Sequence, residues 1–105
     1  MADVVLCGAI IHWVYCLTSP AFGGSFERIL QYIMRATRKW LVIEFVRADD
    51  RAIKAFHHID RCGNASLSSD YKESLFEVAL LRHGSIVERK SMETRIIYVV
   101  QKREA

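Results

Sequence analysis

The chain has 105 residues, of which 51% are hydrophobic and 26% charged, with a formal net charge of +3. This length fits one domain, and the apolar content is enough for a core, which excludes a linker or a disordered tail. Basic residues are spread among acidic ones without a clustered stripe, so nucleic-acid binding is not expected. Three cysteines without a C-x-x-C pair do not make a disulfide framework and indicate buried thiols in a reducing compartment.

The first predicted element is a strand from Asp3 to Ile10, a short and continuous apolar run. Such runs are typical of strands covered on both faces, as in parallel sheets. The apolar stretch is interrupted by Gly8 and His12, lacks a basic leader region and is too short to cross a bilayer. We therefore expect a cytoplasmic protein without a membrane segment.

The second predicted element is a helix with Ser25 as its N-cap. Apolar residues at i, i+3, i+4, i+7 and i+8 give this helix one buried face. Basic residues between Arg35 and Lys39 suit the negative end of the helix dipole, so the helix should end among them. Residues Trp40 to Val46 then predict a strand buried on both faces, although this strand contains one carboxylate, Glu44.

The next predicted element after that strand is a helix, with Asp49 or Asp50 as its cap and Gly63 at its end. His58 and Cys62 lie four residues apart on this helix and share a face, and His57 is adjacent. Two ligands are not a tetrahedral set, and no carboxylate or second Cys pair completes one. No metal site is therefore expected.

The last part of the chain predicts a helix followed by two strands. Asp70 and Glu73 resemble a capping box at the start of the helix, and Gly84 is its C-cap. Residues Ser85 to Lys90 and Thr94 to Val100 predict two strands joined by a short connection, which makes an antiparallel hairpin. The full order is a βαβ unit followed by this hairpin, which indicates an α/β domain with a sheet of about four strands.

Four segments, in this order, resemble the C-terminal half of class I S-adenosylmethionine-dependent methyltransferases. They are DVVL with AIIH at residues 3–6 and 9–12, RKWLVIEFV with RADD at 38–50, DY with FE at 70–77, and TRIIY at 94–98. In that family strand 4 carries a D-V-V-L-type sequence, strand 5 a W-L-I-V-E-F-V-type sequence and the terminal hairpin a T-R-x-x-Y-type sequence. The resemblance implies that residues 1–105 form the strand 4 to strand 7 part of a Rossmann-like sheet.

The elements that bind the cofactor in this family have no counterpart in the sequence. The family uses a glycine-rich loop after strand 1 and an acidic residue at the end of strand 2. Gly23 and Gly24 do not follow a strand, and only two residues precede Asp3, which leaves no room for strands 1 to 3. The resemblance therefore implies a methyltransferase part that binds S-adenosyl-L-methionine weakly or not at all by itself. The alternative is a non-catalytic interaction module derived from such an enzyme.

The missing strands also predict a free sheet edge. Strand 4 is central in the complete fold, whereas here the strand from Asp3 to Ile10 has no neighbour on its outer side. A flat apolar edge favours pairing with another chain. We therefore expect self-association, or docking of a partner chain, through this strand.

The resemblance also implies candidate site residues at the end of the first strand. Gly8, Ala9, Ile10 and Ile11 would lie beside the methionine end of the cofactor, since open α/β sheets bind ligands at the carboxyl ends of their strands. The alternative is a strand terminus in which small residues allow a helix to pack.

The segment that follows this strand contains candidates for the catalytic and substrate sites. His12 occupies a position where the family often has a histidine that faces the substrate and accepts a proton. Trp13 and Tyr15 are candidates for the wall of a substrate pocket. A structural histidine and core aromatic residues are the alternatives.

The antiparallel hairpin supplies a predicted partner for Glu44. In the methyltransferase arrangement the last strand is inserted beside strand 5, so the resemblance implies that Arg95 and Tyr98 lie on the strand next to Glu44. Antiparallel pairing then brings Arg95, near the start of that strand, close to Glu44 near the end of the other. Removing one member of a buried pair would cost on the order of 3 kcal/mol. The alternative is a solvated glutamate on the surface.

Overall fold

The structure is a computed structural model that describes residues 1–17, 25–56 and 70–103. Within these ranges one sheet contains β1 (Ala2–Cys7), β2 (Thr37–Val46), β3 (Gly84–Met92) and β4 (Arg95–Lys102). The helices in these ranges are α1 (Ile11–Leu17), α2 (Phe26–Ala36), α3 (Arg51–Phe56) and α4 (Glu73–His83). The predicted mixed α/β class and the four-stranded sheet are confirmed, whereas the predicted helix end at Gly63 lies outside the described residues.

The strands follow the order β1-β2-β4-β3 across the sheet. β1 and β2 run parallel, as a βαβ unit requires, and Val5 pairs with Leu41 in their register. β4 is antiparallel to both of its neighbours, and its Tyr98 lies opposite Ile43 of β2 and Arg89 of β3. The last strand is therefore inserted between β2 and β3.

The core fills the space between one face of the sheet and the helices. Alternate residues of β2 and β4 are completely buried on this face, among them Leu41, Ile43, Ile96 and Val100. Aromatic rings from several elements meet here, with ring centroids 4.8 to 6.0 Å apart: Tyr15, Phe26, Phe45, Tyr71, Phe76 and Tyr98. These rings join α1, α2 and α4 to the two central strands.

Both ends of α2 have identifiable caps. Ser25 accepts a hydrogen bond from the backbone N–H of Arg28 at 3.2 Å, so the predicted N-cap is confirmed. The predicted basic C-terminus is only partly right, because the helix ends at Ala36 and β2 begins at the next residue. The cation that satisfies the last carbonyls comes from the far end of the chain: the Lys102 ammonium donates to the carbonyls of Met34 and Thr37 at 2.7 Å.

The prediction that β1 is buried on both faces is wrong. β1 ends at Cys7, and the side chains of Val4 and Leu6 are 51% and 76% exposed. Only Val5 and Cys7, which face the helices, pack against the core. β1 is an edge strand of the described sheet, so its apolar run is half covered. In β2 as well, residues on the open face such as Val42 are only half-buried.

The predicted capping box at Asp70 and Glu73 is also wrong. The N-cap of α4 is Lys72, which makes no side-chain cap bond. The preceding residue explains this start: Tyr71 is buried, and its hydroxyl donates to the carbonyl oxygen of Val46 at 2.5 Å. This anchor ties the chain just before α4 to the end of β2.

Candidate functional site

The turn after β1 holds the residues predicted to contact a cofactor. The N–H of Ile10 donates to the carbonyl of Gly8 at 2.7 Å, and α1 begins at the next residue. Ile10 is 51% exposed, whereas Ile11 is completely buried in the core. Gly8 has no other atom within 4 Å of the position where a Cβ would lie, so the chain leaves open space on this side of the turn.

The predicted cofactor-binding residues are distributed between two separate recesses. One, of 180 Å³, lies at the carboxyl ends of β1 and β2 on the open face of the sheet, with Gly8 on its wall and Glu44 at its rim. The other, of 240 Å³, lies on the helix side of β1 and is lined by apolar residues that include Ile10 and Ile11. The four predicted residues therefore do not line one pocket, and Ala9 packs against the core.

His12 is 3% exposed, and its Nε2 lies 3.1 Å from the carbonyl oxygen of Ala9. Because a carbonyl only accepts, Nε2 carries the hydrogen in this contact. The ring of Trp13 lies beside that of His12, with centroids 5.3 Å apart.

The surroundings of Tyr15 differ from those of His12 and Trp13. Its side chain is 1% exposed, and its ring packs against Phe26 and Tyr71 in the aromatic core. It also lines a 440 Å³ recess between the start of α2 and one side of α4. The predicted substrate wall of Trp13 and Tyr15 is therefore not a single surface in this structure.

Glu44, which lines the same recess as Gly8, lies close to Arg95. Their nearest charged atoms, Arg95 Nη1 and Glu44 Oε1, are 3.8 Å apart on the open face of the sheet. Arg95 makes a shorter contact with a residue that the sequence did not indicate as its partner: its Nε lies 3.2 Å from Oδ2 of Asp50. Arg95 is therefore shared between two carboxylates, and Asp50 is the closer one.

Asp50 is the centre of this cluster. Its side chain is 6% exposed, and it accepts hydrogen bonds from the Thr94 hydroxyl at 2.5 Å and from the backbone N–H of Ala52 at 2.9 Å. The second bond caps α3, so the choice that the sequence left between Asp49 and Asp50 falls on Asp50. The cluster joins the end of β2, the start of α3 and the start of β4.

The environment of Asp50 lowers its pKa to about 2. Burial by itself would raise this pKa, but the hydrogen bonds from Thr94, Arg95 and Ala52 and the charge of Arg95 outweigh it. The same contact with Asp50 raises the pKa of Arg95. The ionised carboxylate is therefore the form that the folded chain stabilises.

This lowered pKa predicts a loss of stability in acid. A carboxylate whose pKa is lower in the folded chain stabilises the fold above its unfolded pKa of about 4, and this contribution disappears as the pH falls towards 2. We expect Asp50 to account for roughly 2 kcal/mol of the free energy of unfolding lost over that range. Urea unfolding at several pH values checks this, since Asp50→Asn should flatten the decline relative to the unmodified chain. Parallel declines in the two proteins would contradict it.

A wider recess of 590 Å³ lies beyond the carboxyl end of β2 and was not indicated by the sequence. Its charged lining pairs largely with neighbours. Arg47 lies 3.3 Å from Asp49, and Glu73 contacts Arg89 of β3. Small-molecule sites often have this volume, but here Arg47, Asp49 and Glu73 already have protein partners.

Comparison of the chain with protein-family models, curated proteins and solved structures finds no match. Within residues 1–17, 25–56 and 70–103, no helix is long and apolar enough to span a membrane. The same residues contain no group of three or more His, Cys, Asp or Glu side chains suited to a metal ion. His57, His58 and Cys62 lie outside the described part of the chain.

Proposed function

We propose that this chain is the C-terminal part of a cytoplasmic S-adenosylmethionine-dependent methyltransferase and does not bind cofactor or turn over alone. The observation that carries the proposal is the strand order β1-β2-β4-β3, with β4 antiparallel between β2 and β3. The resemblance of the sequence implies this same order for strands 4, 5, 7 and 6. A hairpin that simply continued the sheet would instead place β3 beside β2.

The residues at the end of β1 do not form a complete cofactor site. Pockets for ligands of drug size measure about 300 to 1,000 Å³ and enclose most of the ligand. The recess beside Gly8 has a volume of only 180 Å³, and Ile10 and Ile11 lie on the other side of β1. These residues do not fit S-adenosyl-L-methionine by themselves, which agrees with the absence of a glycine-rich loop from the sequence.

Within this proposal His12 is the catalytic candidate of the completed enzyme. Its Nε2 donates to the Ala9 carbonyl, which holds the ring at the end of β1. The arrangement holds one nitrogen as a donor at a defined place. His12 could therefore act as a positioned base only if a completing segment brings a substrate to this turn.

Calorimetric titration of the chain with S-adenosyl-L-methionine tests the proposal. We expect no saturable binding to the chain alone at submillimolar cofactor. We expect binding when the chain is produced together with a segment that supplies strands 1 to 3 and a glycine-rich loop. The DNA upstream of the Met1 codon is the first place to look for that segment. Saturable binding to the chain alone would contradict the proposal, as would a complete domain that does not bind.

The second candidate function is a non-catalytic interaction module, and the two edges of the described sheet favour it. The β3 edge has an irregular register between Ile86 and Glu88 and carries charged residues, as edges that avoid pairing do. The β1 edge has Asp3 as its only charged residue, and the Arg38 side chain lies 3.3 Å from that carboxylate. An upstream reading frame without a strand and glycine-rich loop would favour this function over the first.

A further inference from the structure

We propose that two copies of this chain associate through β1, with the two strands antiparallel and a twofold axis at Val5. The free edge of β1 presents backbone N–H and C=O groups that no described strand pairs. Its side chains from Val4 to Cys7 are uncharged. The inference does not depend on methyltransferase activity, because it rests on the edge alone.

The alternation of side chains selects the position of the axis. Residues directly opposite each other in an antiparallel pair point to the same face of the sheet. An axis at Val5 places Val4 of one copy opposite Leu6 of the other, so the two exposed apolar side chains of the strand cover each other. It also places Asp3 opposite Cys7, so no like charges face each other across the pair.

The surface on the helix side of β1 extends this interface. Ile10 and Tyr32 are 51% and 62% exposed beside the apolar recess of 240 Å³. At about 200 Å² for a large side chain, the exposed parts of Val4, Leu6, Ile10 and Tyr32 amount to roughly 500 Å² per copy. A standard interface buries roughly 800 Å² per partner, and the paired backbone edge supplies further area towards that value.

Pairing of β1 with a second copy and pairing of β1 with a strand of a completing segment require the same edge of the sheet. A copy paired through β1 therefore has no free edge for a strand supplied by a separate chain. Dimerisation and completion should exclude each other, so a completing segment should convert the dimer to a monomer of the full domain. This consequence separates the inference from the proposed function, which fails or holds on cofactor binding.

Sedimentation velocity at tens of micromolar tests the dimer. Val4 and Val87 provide a matched pair, because both are valines that are 51% exposed, one on β1 and the other on β3. We expect the unmodified chain and Val87→Lys to sediment as dimers. Val4→Lys should weaken dimerisation by about tenfold or more, because it places an unpaired charge in the closed interface.

Leu6→Lys gives an independent variant on the same strand, and circular dichroism confirms that each variant is folded. A monodisperse monomer for the unmodified chain would overturn the proposal. Equal dimerisation of Val4→Lys and the unmodified chain would overturn it as well. Loss of the dimer in Val87→Lys to the same extent as in Val4→Lys would show that β1 is not the specific interface.

Discussion

Replacing Gly84 with alanine should lower the free energy of unfolding by about 3 kcal/mol. Gly84 lies where α4 passes directly into β3, opposite Lys102 in the sheet. A Cβ at this position would lie 2.1 Å from the backbone oxygen of Gln101 and 2.9 Å from its carbonyl carbon. These are backbone atoms of the paired strand, so relief requires β3 and β4 to separate locally. The φ angle of Gly84, −178°, suits any residue, so the cost comes from the close approach of the strands.

Gly8→Ala is the matched control for this substitution. The space around Gly8 is open, because no atom lies within 4 Å of the position that an added Cβ would take. We expect its free energy of unfolding in urea to stay within about 0.5 kcal/mol of that of the unmodified chain. Equal midpoints for Gly84→Ala and Gly8→Ala would show that β3 and β4 do not approach as closely as described.

Replacing Asp50 with alanine should cost about 3 kcal/mol, the second large effect. The substitution removes the cap of α3 and leaves the Thr94 hydroxyl without this acceptor and Arg95 without its nearest carboxylate. Glu44→Ala should cost less, about 1 kcal/mol or below, because its contact with Arg95 is 3.8 Å long and the arginine is 41% exposed. Thermal or urea unfolding of both variants measures this difference.

The neighbouring aspartate provides the control. Asp49 is half exposed and lies 3.3 Å from an equally exposed Arg47. Asp49→Ala should therefore leave the unfolding midpoint almost unchanged. If Glu44→Ala destabilised the chain as much as Asp50→Ala, the assignment of Asp50 as the main partner of Arg95 would be wrong.

The elements of this fold that depend on local pattern were predictable from the sequence. The apolar spacing and Ser25 predicted α2, the continuous apolar run predicted β2, and the β-branched run predicted β4. The short connection between the last two strands predicted their antiparallel pairing, which the structure shows with a turn at Glu93 and Thr94. Glu93 adopts a positive φ of 53° in that turn.

What the sequence did not predict depends on neighbours distant in the chain. A continuous apolar run does not tell whether a second layer covers it, so the exposure of Val4 and Leu6 was missed. The start of α4 was misplaced because the tertiary bond from Tyr71 to Val46 holds the preceding chain. Local capping patterns contain no information about such a contact.

The candidate site was predictable only in part, for the same reason. The sequence placed Arg95 near Glu44 by strand pairing, and the two side chains do lie close together. It did not bring Asp50 into that contact, although Asp50 follows β2 closely and Thr94 immediately precedes Arg95 in β4. Antiparallel pairing of β2 and β4 brings these positions together, so the signal was present in the predicted topology.

Both the proposed function and the free edge of β1 depend on the strand order. Solution NMR tests this order most directly. Contacts between Hα protons should link alternate residue pairs of β2 and β4, in the register that sets Val42 opposite Val99 and Ile43 opposite Tyr98. No such contacts should link β2 to β3. Contacts between β2 and β3, with β4 at the outer edge, would contradict the methyltransferase-like order.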